Sequence, residues 1–453
     1  MNGFTRRRAS TVLAVLLAAA SLTASCRNEG SGASVSSMTN QSQKSGEVYT
    51  LTFFTNNSNR TVGQGKMEQD LIDLYMREHP YVRIEVETLS PDPQYQDKIK
   101  VYTASNKLPD IISTWGNSNF LKPLVESGAI AEIDRQSLRD LGFVESAMDG
   151  YSFNGKLYGF PRNSDFWVLY YNKKIFADNG LKIPKKEADL MDAIAKLKGK
   201  GIVPIAIDGR EAWTSGIWFD TMLQRVSGTW DISKKAMDGS GSFRDPSTVK
   251  AAEAIQRWVK AGAFGSEFLN QDYGAARNLF SQGQAAMFMM GEWEMGMASD
   301  LSLPEDVREN IGAFAIPAVA GGEGESSDLT AWFGGGYSVS ETSAHKEKAI
   351  AFLKWMFRPD NWAKGVWQSS ITFPAQKYYQ FITGTETELQ KELSDIYTMA
   401  SSYSGTVAQD KFTTENQKIY YDSLQLLENG SLTPEQFTET IANAAKRSQE
   451  DAS

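Results

Sequence analysis

Among the side chains of this 453-residue chain, 11 tryptophans and 55 acidic groups have the most chemistry to offer. A flat indole can cover the C–H face of a polyhydroxylated ring, a carboxylate accepts from two hydroxyls at once, and an Asn amide both donates and accepts. A pair of carboxylates could also hydrolyse a glycosidic bond, but no feature of the sequence singles out such a pair. The nucleophile and metal-ligand inventories are short. His79 and His345 are far apart and have no ligand-spaced neighbours, so no zinc site is suggested. Cys26 is the only cysteine, and no Gly-x-Ser-x-Gly elbow occurs. Gly334, Gly335 and Gly336 lack the G-x-G-x-x-G spacing of a nucleotide cradle and read instead as a hinge or a close backbone approach. With 46 basic residues, a net charge of −9 and no basic stripe beyond Arg6, Arg7 and Arg8, the chain argues against a nucleic-acid partner.

Those three arginines precede an apolar stretch, Thr11 to Leu22, and the small residues Thr23, Ala24 and Ser25 before Cys26. This is the layout of an export signal over 1–25, and the stretch is too short to span a bilayer. Leu22 to Cys26 resemble the lipobox of bacterial lipoproteins, which implies lipidation of Cys26 and a place on the extracytoplasmic face of the cell membrane. Thr23 stands where Leu is usual, and ordinary cleavage beside an incidental cysteine is the alternative. Residues 26–46 are rich in Ser, Gly, Asn and Gln, the composition of a flexible tether. The rest, from Glu47 on, exceeds what one core supports, so two lobes are expected.

The elements that must position any site follow from periodicity. Val48–Thr55 reads as a strand, Met67, Leu71, Leu74 and Tyr75 as a helix face, Val82, Ile84 and Val86 as a strand, and Tyr95, Ile99 and Tyr102 as a helix. A third strand follows near Ile111 and Ile112. That alternation predicts a parallel sheet wrapped by helices. Asn154-Gly155 between aromatic flanks predicts a hairpin. A second α/β series contains strands over 166–171, 202–207 and 285–290 and a helix opened by Asp245 and Pro246 and closed near Gly262. Helices are predicted over 272–282 and 346–357 and through most of the C-terminal quarter. Trp258 and Trp355 fall on inner helix faces and read as core, and Asp110 as a structural turn partner.

The segments LPDII (108–112), NGKLYGFP (154–161), YYNKKIF (170–176), NLFSQGQAAMFMMGEW (278–293) and GGGYSVS (334–340) resemble family 1 extracellular solute-binding proteins, the sugar-binding components of bacterial ABC importers. The resemblance implies an α/β, two-lobe, type II periplasmic-binding-protein-like fold, hinge-linked, with the ligand between the lobes. It divides the chain into 47–162 plus about 338–362 and 163–337 plus about 363–453. It also implies a monomer without cofactor that hands a carbohydrate to an ABC permease. Open α/β sheets bind at the carboxyl ends of their strands. The family layout thus places Asn56 and Asn57 after the first strand, Trp115 and Asn117 after the third, and Asp165 at the hinge strand. Asp208 and Trp213 follow the 202–207 strand, Trp293 supplies an aromatic platform, and Trp332, Phe333 and Gly335 complete the set. Glu292 stands where relatives carry Pro, which leaves that loop's shape open. The competing expectations are a secreted carbohydrate-active hydrolase and a binder of a non-sugar polar solute.

Overall fold

The predicted alternation opens the fold. In the computed structural model, which describes residues 48–116 and 119–452, the elements Tyr49–Thr55, Gly63–Glu78, Val82–Thr88, Asp92–Ala104 and Ile111–Trp115 follow in turn as strand, helix, strand, helix, strand. Cys26, the tether and Asn117 lie outside the described residues. The three strands are parallel, as βαβ crossovers require. Two later segments extend the sheet: Gly335–Val339 runs antiparallel to Ile111–Trp115, and Phe160–Pro161 forms the edge.

A second sheet carries, in order, Ile311–Phe314, Asp165–Asn172, Ala285–Gly291 and Val203–Ala206, with Ala331–Trp332 paired to the start of Asp165–Asn172. All eight residues of Asp165–Asn172 and all seven of Ala285–Gly291 are buried. Burial on both faces explains why these strands read as continuous apolar runs rather than alternating ones.

Each sheet has its own core. Phe53, Ile99, Tyr337, Phe352 and Trp362 belong to one, and Phe166, Trp218, Trp258, Phe288 and Phe437 to the other. Two cores make two lobes. The helix Trp362–Gln368 serves both, with Trp362 and Val366 in the first core and Ala363 and Trp367 in the second. Among the described residues no helix is long and apolar enough to cross a membrane.

Local signals set the element ends. Asp245 accepts from the Ser247 N–H at 2.8 Å, Pro246 opens the helix Pro246–Ala261, and Gly262 closes it with φ +79°. Asn154 (φ +51°) and Gly155 (φ +76°) join the hairpin strands Ser152–Phe153 and Lys156–Leu157, the left-handed pair that a two-residue turn demands. Trp258 and Trp355 are core, their indole N–H groups satisfied by Glu187 and Glu78. Asp110 accepts from Thr52 and Ser343, the structural part expected of it.

The helix Thr414–Glu428 ends on a buried acid. Neither carboxyl oxygen of Glu428 has a hydrogen-bond partner among the described residues. Burial pushes its pKa up to about 8 from 4.5, opposed by the nearby Ser215 hydroxyl. A folded-state pKa above the unfolded one gives stability that is complete below about 4.5 and lost as pH rises through about 8. Glu428→Gln should remove that part of the slope, so denaturant midpoints of the variant should fall less between about pH 5 and about pH 8 than those of the wild type. Parallel midpoint curves would contradict it.

Candidate functional site

Three crossings join the lobes, and Arg162 ties them together. The chain passes from Phe160–Pro161 to Asp165–Asn172, back from Ala331–Trp332 to Gly335–Val339, and over once more after Trp362–Gln368. The Arg162 N–H donates to the Gly335 carbonyl at 2.7 Å, and the Arg162 carbonyl accepts from the Ala375 N–H at 3.1 Å and the Trp362 indole at 3.1 Å. Its buried guanidinium lies 3.6 Å from Glu68 and donates to the Tyr337 hydroxyl at 3.4 Å. Glu68, itself wholly buried, also accepts from Tyr337 at 2.5 Å and pairs with Arg60. Such closeness needs glycine: a Cβ at Gly336 would lie 2.4 Å from the Phe160 carbonyl oxygen, and one at Gly335 2.7 Å from Arg162 Nη2. The glycine run is a close backbone approach, as its spacing suggested.

Two buried acids sit on the same crossings. Asp165 accepts from the Gly334 N–H at 3.2 Å. Glu292 accepts from the Phe166 N–H at 3.1 Å and the Thr372 hydroxyl at 2.5 Å. The Glu292 side chain therefore pins the first and third crossings to the end of Ala285–Gly291. Burial pushes both carboxyls up. Arg162 opposes that for Asp165, and the charge of Asp165 adds to it for Glu292. Like charges in one apolar site favour keeping a proton.

Beside these acids the second lobe gathers four tryptophans. The Trp293 ring centroid lies 6.2 Å from Trp167, 6.1 Å from Trp213 and 6.1 Å from Trp332, and Trp167 lies 6.0 Å from Trp213. Trp167 is buried and forms the base, whereas the other three are half-buried. Trp293 follows the strand Ala285–Gly291 and Trp332 ends the short strand paired to Asp165–Asn172. Trp213 opens the helix Trp213–Ser227 after Ala212, a non-glycine residue at φ +60°. That left-handed turn is strain of the kind stored at binding sites. It places the Glu211 carboxylate beside Trp213, whose indole N–H donates to it at 3.2 Å.

The first lobe offers Trp115, packed edge-on against Phe120 and Tyr95, and Asn56, which donates to Asp92 at 3.0 Å. Burial pushes Asp92 up to about 6, a shift the Asn56 hydrogen bond and Arg162 oppose and the charge of Glu211, from the other lobe, increases. Asn119 of the first lobe donates directly to the Gln409 carbonyl of the second at 3.4 Å.

The structure thus brings together Trp213, Trp293 and Trp332 from one lobe and places Asn56 and Trp115 on the other. Asn57 belongs to the Glu68 network, and Asp165, half-buried Phe333 and Gly335 lie on the crossings. Asp208 is wholly buried, with no hydrogen-bond partner on either carboxyl oxygen among the described residues, and burial pushes its pKa well above the usual range. Sequence reasoning missed Asp92, Glu211 and Trp167, and also Tyr273, whose hydroxyl accepts from the Trp293 indole N–H at 3.1 Å. Only the Asp-Gly-Arg-Glu run at 208–211 hinted at a choice of acids there. Two surface hollows of about 360 and 590 Å³ open elsewhere on the second lobe, and none of these four tryptophans lines either.

Indole faces beside hydrogen-bonded carboxylates suit a solute with C–H faces and a hydroxyl edge. Comparison with known proteins agrees in kind. The model of the bacterial extracellular solute-binding proteins matches residues 58–361. The multiple sugar-binding protein of Streptococcus mutans serotype c is 22% identical over 326 residues, 70% of this chain and 72% of that protein. The galactooligosaccharide-binding protein of Bacillus subtilis is 24% identical, covering 83% and 85%. A solved structure from work on xylan utilization by Caldanaerobius polysaccharolyticus is 27% identical with a TM-score of 0.79, over 87% of this chain and 99% of that one.

Removing one partner from a buried charge cluster leaves the others uncompensated. Arg162→Leu should therefore lower stability by about 3–5 kcal/mol, read from urea unfolding. The double variant with Glu68→Gln should recover part of that loss. An unchanged midpoint for Arg162→Leu would contradict the arrangement.

Proposed function

Since this chain belongs to the bacterial extracellular solute-binding protein family, we propose that it captures a neutral sugar or short oligosaccharide between its lobes and delivers it to the permease of an ABC importer. The observation that carries this reading is the wall of Trp213, Trp293 and Trp332 with Glu211 beside it and Asp92 across from it. Arg60, Arg162 and Arg277 are each paired to a carboxylate, so the nearby cations are already committed and an anionic solute has little to meet. Relatives named for sugars and oligosaccharides support the same reading.

Sugar touching both lobes binds the closed arrangement better than an open one, and only that difference can drive closure. We place the hinge at residues 162–164, at 333–334 and after Gln368. These points lie close to the divisions expected near 163, 338 and 363, with Gly335–Val339 assigned to the first lobe because it pairs in the first sheet. The protein works as a monomer held at the membrane by a lipid on Cys26, and it binds without hydrolysing. Two acyl chains suffice for such anchoring, where one is marginal.

Thermal-shift screening against xylan- and chitin-derived oligosaccharides, raffinose and galactose tests the reading, because a ligand bound only by the native state raises stability by mass action. A rise in Tm without product on chromatography is expected, and turnover or no shift with any sugar would overturn it. Trp293→Ala should weaken binding of the sugar found at least tenfold, about 1.4 kcal/mol, in calorimetry, with circular dichroism unchanged. Full affinity in a folded variant would place the sugar elsewhere. Cys26→Ala should move the exported protein from the membrane to the soluble fraction, and variant protein that stays membrane-bound after a salt wash would refute lipidation as the anchor.

A further inference from the structure

Trp213 and Trp293 present a problem that their own positions do not solve. An indole at the surface of a groove can turn about two torsions, and a platform that turns offers no fixed face to a solute. Both rings here converge on one residue, Tyr273. It is the first residue of the helix Tyr273–Ser281, whose start is set by Asp272 accepting from the Ala275 N–H at 2.8 Å. Asp272 also pairs with Arg210 at 2.5 Å, and the Tyr273 N–H donates to Glu211 at 3.3 Å, so the helix start is stapled to the 208–213 turn.

From that fixed position the Tyr273 ring stacks on Trp213, with centroids 6.4 Å apart and planes 25° apart. Its hydroxyl accepts from the Trp293 indole N–H at 3.1 Å and donates to Glu294. Glu294 is buried and its other oxygen receives the Arg277 guanidinium at 2.8 Å, so the acceptor for the tyrosine proton is itself held. Burial, with the charge of Glu294, keeps the Tyr273 hydroxyl protonated far beyond the usual range. The Trp293 ring also rests on Gly291, where a Cβ would come within 2.0 Å of it. Both indole N–H groups are thus consumed inside the protein, that of Trp213 by Glu211 and that of Trp293 by Tyr273. What remains for a solute is ring face, not N–H edge.

We propose that Tyr273 is a positioning residue of the solute site, fixing the planes of Trp213 and Trp293 through a stack on one and a hydrogen bond from the other, so that two preset ring faces receive the solute. Ordering these rings in advance removes a cost that binding would otherwise carry. The inference rests on the carbohydrate reading only for what the rings receive, not for how they are held.

Tyr273→Phe in the intact protein keeps the stack and removes the hydroxyl. In sugar-free protein, solvent exchange of the Trp293 indole N–H, followed by ¹H–¹⁵N NMR, should accelerate about tenfold or more while Tm changes little. An unchanged exchange rate would overturn the proposal. Calorimetry with xylotriose, chitotriose and raffinose supplies the second arm. For each sugar the wild type binds, Tyr273→Phe should weaken affinity several-fold, and it should cost nothing further when added to Trp293→Ala. Equal affinity, or an undiminished loss in the Trp293→Ala background, would show that Tyr273 does not act through Trp293. If the wild type binds none of the three sugars, the carbohydrate reading fails, and the exchange rate alone still decides how the rings are held.

Discussion

The way the two lobes are joined depends on the buried Arg162 guanidinium and on the backbone around it. A charge removed from water must be compensated at close range, and Glu68 and Tyr337 of the first lobe do so. The same residue's amide and carbonyl hold the second and third crossings through Gly335, Ala375 and Trp362. The three connections between lobes therefore form one bonded unit.

The second lobe carries the aromatic wall. Asp165 and Phe166 begin the central strand of the second sheet, Glu292 caps the strand beside it, and Trp332 and Trp293 issue from partners of the same strand. In the closure proposed above, a rotation at the crossings would carry these rings together toward Trp115, Asn56 and Asp92. Glu292 has a clear part in this: its two oxygens join the Phe166 amide to the Thr372 hydroxyl, so it couples the first and third crossings. The wall's own rigidity comes from the layer behind it, Tyr273, Glu294 and Arg277, which no solute needs to touch.

Elements whose signals are local were legible in the amino-acid order. Asp245-Pro246 with Gly262, Asn154-Gly155, and the apolar strands over 166–171 and 285–290 each act within a few residues. Trp213, Trp293 and Trp332 could be placed on one lobe because strand ends are predictable and the motif order resembled a family. Residues whose partners are remote in sequence stayed hidden. Tyr273 meets Trp293 across 20 positions and Glu211 across 62, and no periodicity registers such a contact. Asp208 and Glu211 stand on one turn, and no local pattern tells that Glu211 accepts from the Trp213 indole while Asp208 is buried. Two-residue strands such as Ala331–Trp332 are too short for alternation to reveal.

In the proposed function a sugar lies between the lobes against the tryptophan wall and leaves intact. A crystal structure grown with the oligosaccharide that most raises Tm tests it most directly. The expected result is an unbroken sugar with a ring stacked on Trp293 and hydroxyls on Glu211 and Asp92. Density for the sugar in either surface hollow of the second lobe, or for cleaved product between the lobes, would contradict it.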